Sequence, residues 1–147
     1  MNFKLAFVAI IFALTLVAVG GGPIRVATTQ QPEKLTFRME LCGIGAFSSH
    51  QTYTASDGTT LNVDSEMYMT LGKAKKALAK ELKVARRIND RKDILDQTGK
   101  KTGERVIATL GAAGSERTLW LELENKFLYK IEAASLRHIE EFRSAPH

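Results

Sequence analysis

Residues 71–89 read LGKAKKALAKELKVARRIN, and the rest of the chain is organised around this stretch. Leu71, Ala74, Leu78, Leu82, Ala85 and Ile88 recur at spacings of three and four, which lines one face of an α-helix with apolar groups. Thr70 offers an N-cap hydroxyl, and Asn89 with Asp90 offers a stop, so the spacing predicts a helix over 71–89. Gly72 weakens its first turn by up to about 1 kcal/mol relative to alanine.

The segments on both sides of this helix carry strand patterns. Upstream, Leu35, Phe37, Met39 and Leu41 alternate with Thr36, Arg38 and Glu40, a period of two that puts the apolar set on one face of a half-buried strand. Gly43 and Gly45 end it. Strands are expected over 50–56 and 59–69, the latter with Leu61, Val63, Met67 and Met69 in one parity. Asp57-Gly58 between them reads as a two-residue hairpin turn with both central residues at positive φ.

Downstream, a short strand over 93–97 leads into a turn at Thr98-Gly99-Lys100 and a strand over 104–110 rich in β-formers. After a glycine-rich connection over 111–115, Leu119, Leu121 and Leu123 alternate against Trp120, Glu122 and Glu124. Asn125-Lys126 then turns the chain into a strand over 127–131. A last helix starts at Ala134 or Ser135 and sets Leu136, Ile139 and Phe142 on one face. The order βββα-ββββα lacks regular βαβ alternation. It predicts an α+β fold: an antiparallel sheet of about six or seven strands with one long and one short helix packed on one of its faces. Nothing in the residues supports a duplication relating the two halves.

Before the first strand, an apolar run over 5–19 follows Lys4 and precedes Gly20-Gly21-Gly22-Pro23. Its length of about fifteen residues falls short of the roughly twenty that a spanning helix needs, whereas the flanks suit a secretory leader. Ala18 and Gly20 supply small side chains for cleavage near Gly20 or Gly21. The expected organisation is therefore a signal peptide (1–21), a flexible arm (22–33), one globular domain (34–143) and a tail (144–147). Localisation is expected in the periplasm, the cell envelope or the extracellular space, with no transmembrane span in the mature form. A mature chain of about 125 residues buries roughly two thirds of its unfolded surface, enough to fold without a metal or disulfide staple. Cys42 is the only cysteine, so no internal disulfide can close, and a Cys42-linked dimer is the pairing left open to it after export.

Most catalytic chemistry finds no constellation in the sequence. One cysteine and three histidines (His50, His138 and His147) do not make a metal cluster, and no cofactor is expected. His138 and Glu141 lie one helical turn apart and read as a solvated helix surface. Ser49 and His50 with Asp57 or Asp64 supply the residue types of a nucleophilic triad, but neighbouring strand residues point to opposite faces. Gly43-Ile44-Gly45 opens no helix, and Thr98-Gly99-Lys100 lacks the first glycine of a phosphate loop.

Charge is the remaining signal. The chain carries a formal net charge of +5, and residues 73–105 concentrate twelve basic against five acidic side chains. Lys73, Lys76, Lys80, Lys83 and Arg87 step by three or four residues and lie about 170° around the helix from the apolar stripe. No acid falls inside this stripe, because Glu81 projects near the apolar border. The expected function is thus an exported, non-catalytic binding or adaptor module whose cationic ridge contacts anionic lipid headgroups, envelope polysaccharide or an acidic protein. Nucleic acid is disfavoured, since no aromatic side chain interleaves with the ridge. The alternative is a carrier that encloses a small apolar ligand between sheet and long helix, lined by Phe37, Met39, Leu41, Met67, Met69 and Phe127.

Overall fold

The structure is a computed structural model that describes residues 33–146. The expected leader lies outside the described residues, as does the expected arm apart from Glu33. Seven strands, β1 (Phe37–Ile44), β2 (Ser48–Ala55), β3 (Thr60–Met67), β4 (Arg87–Leu95), β5 (Lys101–Leu110), β6 (Arg117–Glu124) and β7 (Phe127–Ala133), form one antiparallel sheet in the spatial order β1-β2-β3-β7-β6-β5-β4. Helix α1 (Leu71–Lys83) connects β3 to β4, and α2 (Leu136–Ser144) follows β7. The expectation of an antiparallel sheet carrying two helices is met, and the molecule is mostly sheet.

The sheet consists of two meanders, β1-β2-β3 and β4-β5-β6-β7, joined where β3 pairs with β7. Alternating direction from β3 through β7, β6 and β5 leaves β3 and β4 parallel, so a hairpin cannot connect them. Helix α1 makes that crossover, and β1 and β4 become the two sheet edges.

Both faces of the sheet are covered, one helix on each, which corrects the expectation of helices on a single face. Ala74 and Leu78 of α1 pack with Val106, Ala108, Leu119, Leu121, Leu123 and Leu128. Ile139 and Phe142 of α2 pack instead with Ala55, Leu61, Val63, Ile107, Trp120, Ile131 and Ala133. The alternation of Leu119, Leu121 and Leu123 reads as a one-sided strand, yet Trp120 between them is only 6% exposed because α2 roofs its side. Four consecutive buried residues in β5, Val106 to Thr109, make the same point: a strand covered on both faces loses its alternation.

Three local expectations are also corrected. Helix α1 begins where predicted, with Thr70 Oγ1 accepting the Lys73 N–H at 3.2 Å, but ends at Lys83 rather than Asn89. The Arg86 N–H donates to Thr109 O at 2.8 Å, and Ile88 pairs with Ala108 in β4. Ladder bonds to β5 outcompete continued helix where β-branched Val84 and Ile88 and four closely spaced cations weaken helical preference. Ile88 still faces the α1 side, which is why it also fits the helical period.

At Asp57-Gly58 the loop is longer than a two-residue turn. The Gly58 N–H donates to Ala55 O at 2.9 Å, and only Gly58, at φ +84°, sits in the left-handed region. Ser56 and Asp57 are its central residues, so Asp57 keeps an ordinary backbone and its carboxylate accepts the Thr59 N–H at 2.9 Å. In β1, a register shift between Met39 and Leu41 splits the expected apolar face: Met39 pairs with Tyr53 and Leu41 with Thr52, which lie on opposite faces. Both are exposed.

Candidate functional site

Helix α1 carries five lysines and one glutamate in thirteen residues. Its apolar side is seated on β6 and β7, so the opposite side must face solvent. Lys73, Lys76, Lys80 and Lys83 are exposed along it, and none forms an ion pair among the described residues. Glu81, the only acid on the helix, turns inward to Lys130 at 3.4 Å. Lys80 and Lys83 also lie in the last turn, where the helix dipole favours positive charge. Arg87 departs from the expected ridge: it belongs to β4, and its Nε donates to Asn89 Oδ1 at 2.8 Å. The ridge is thus four lysines on one helix, with Arg87 beyond its C-terminal end.

Two basic residues outside that helical spacing, Lys75 and Arg91, join this region. A groove of about 450 Å³ runs between α1 and the β4-β5 edge, lined by Leu78, Ala79 and Leu82 together with Lys75, Lys83, Arg91 and the Glu104 carboxylate. Arg91 is held there by Glu104, at 2.6 Å across the β4-β5 ladder. Lys75 sits one position off the helical stripe, and Arg91 lies sixteen residues further along the chain, so only the packing of α1 beside β4 brings them together. The residues expected to line an apolar cavity do not share one environment. Phe37 packs edge-to-face with Phe142 at 5.3 Å on the α2 side, whereas Met39, Leu41, Met67, Met69 and Phe127 are exposed. Cys42 is exposed on the edge strand β1.

The remaining polar clusters are assembled by tertiary contacts. Ser49 and His50 do point apart: Ser49 Oγ bonds Ser65 Oγ at 2.8 Å, and His50 Nδ1 contacts Asp64 on the other face. Burial pushes the Asp64 carboxyl up, but hydrogen bonds from His50 and from Lys130, 3.0 Å away, outweigh it and hold it below the usual range. Next to this network burial and the Glu66 carboxylate raise the Tyr68 phenol to about 12. His138 and Glu141 do not share a partner. Glu141 accepts the Leu35 N–H at 2.6 Å and pairs with Arg137, while His138 reaches Ser135 on one side and Asp57 on the other. Among the described residues no group of three or more potential ligands is placed to hold a metal ion. Nor is any helix among them long and apolar enough to cross a membrane.

No protein-family model, curated protein or solved structure matches this chain.

Proposed function

We propose that the chain is a small exported α+β binding or adaptor module that holds an anionic surface or an acidic partner against α1. One observation supports this reading above the others: Lys73, Lys76, Lys80 and Lys83 line the exposed side of one helix with no carboxylate partner among the described residues. Like charges at i,i+4 repel, and intervening acids would relieve the strain at little cost. Their absence leaves a field that attracts anions. Lipid headgroups, envelope polysaccharide and acidic protein all present the matching charge in an exported setting. The groove beside the ridge extends the reading to an anion with an apolar portion, which would lie over Leu78, Ala79 and Leu82. Binding, rather than catalysis, is the role proposed for this helix.

The test is co-sedimentation with vesicles that contain phosphatidylglycerol, against neutral phosphatidylcholine vesicles, for the wild type and a Lys76→Glu/Lys80→Glu/Lys83→Glu variant. Each basic group near an anionic membrane contributes about 1 kcal/mol, so the triple reversal is expected to weaken binding by roughly 100-fold or more while the circular dichroism spectrum stays unchanged. Binding that survives the reversal at low salt, where charge effects are largest, defeats the proposal.

A further inference from the structure

We propose that Ser135, His138 and Asp57 form a nucleophilic relay that transfers the acyl group of small esters to water. The three residues come from two places in the chain, the β2-β3 turn and the start of α2. Ser135 Oγ lies 2.7 Å from His138 Nδ1, and His138 Nε2 lies 2.8 Å from Asp57 Oδ2. The order nucleophile, base, orienter is the one that covalent catalysis by a hydroxyl requires.

The protonation pattern follows from the partners. The Asp57 carboxylate has only lone pairs, so His138 Nε2–H donates to it. A neutral imidazole then carries its free lone pair on Nδ1, and the Ser135 hydroxyl donates to that lone pair. The hydroxyl is therefore aimed at a base. Asp57 is kept ionised by the His138 contact first and the Thr59 N–H second, which together lower its carboxyl to about 2. The His138 side chain is 13% exposed, so its bonds to both partners are partly shielded from competing water.

The helix end provides a further part. Ser135 is the N-cap of α2, yet its hydroxyl makes no capping bond. With Oγ given to His138, the N–H groups of the first turn receive no side-chain cap from Ser135 and can face a developing oxyanion.

In the reaction, Ser135 Oγ forms a bond to the ester carbonyl carbon as its proton passes to His138 Nδ1. The resulting imidazolium is stabilised through Nε2–H by Asp57. Collapse of the tetrahedral adduct breaks the bond to the leaving alcohol, which takes the proton from Nδ1. Water then attacks the acyl-serine by the same route, releases the carboxylic acid and restores Ser135. No oxidant, reductant or metal enters the balance.

The same contacts also tie the β2-β3 turn to α2, and a tie with no chemistry leaves Ser135 inert. The distinguishing experiment treats the folded full chain with a fluorophosphonate probe and locates the adduct by peptide mass spectrometry. In parallel, p-nitrophenyl acetate hydrolysis is followed for the wild type, Ser135→Ala and Asp57→Asn. An adduct on Ser135 is expected, with hydrolysis lower by about 100-fold or more in Ser135→Ala. Asp57 acts through His138 as a positioning residue, so Asp57→Asn should lower kcat with KM unchanged, and Asp57→Glu should recover part of the loss. A folded wild type without an adduct on Ser135, or a Ser135→Ala variant that hydrolyses the ester as fast as the wild type, overturns the proposal. The labelling arm needs no substitution and is unaffected by any variant that fails to fold.

Discussion

Asp57 illustrates how much one side chain can be asked to do. Its backbone turns the β2-β3 hairpin, one carboxylate oxygen accepts the Thr59 N–H, and the other accepts from His138, which is 81 positions away. These bonds stabilise the ionised form, so its carboxyl titrates near 2 instead of the ordinary 3.8. A depressed carboxylate adds stability that is fully present above its unfolded pKa and disappears as pH falls through its folded pKa. Thermal melts of the wild type and Asp57→Asn should therefore differ most above about pH 4, and the gap should close between pH 4 and pH 2. A gap that stays constant over that range would contradict the assigned bonds. Gly103 shows a different residue-level constraint. A Cβ there would sit 2.0 Å from Leu123 O in the neighbouring strand, so close pairing of β5 with β6 admits only glycine.

Helix α1 is defined at its start by chemistry within its own sequence and at its end by a neighbouring strand. Thr70 caps the first turn through the Lys73 N–H, and the first turn contains no acid to compensate if the cap is lost. Thr70→Ala should cost about 1 kcal/mol, read as a lower urea midpoint with an unchanged slope. The C-terminal boundary has no comparable local cause. The apolar period continues through Ala85 and Ile88, so the sequence by itself predicts a helix to Asn89. What stops the helix is the β5 edge, which offers Thr109 O to the Arg86 N–H. The four lysines of the ridge were visible because they share one helix. Arg87 fits the same period in the sequence but leaves it on entering β4.

For the whole molecule, the sheet separates two cores that share no residue, one under α1 and one under α2. Leu78→Ala and Ile139→Ala should each destabilise the fold by about 2–5 kcal/mol, because each truncates a buried core side chain. Placed on opposite faces, they should add in the double variant to within about 0.5 kcal/mol in urea denaturation. A larger coupling would mean that the two cores are not separate. Local patterns in the chain were enough to establish strands, turns, two helices and a cationic stripe, since period and capping depend on neighbours a few residues apart. Which face each helix covers could not be read that way, because Trp120 and Ile107 become buried only when α2 arrives from the far end of the chain. The same holds for the groups that meet across long separations: Lys75 with Arg91, and Asp57 with His138. Short-range periodicity carries no record of contacts closed by folding, and those contacts are what position the chemistry of this molecule.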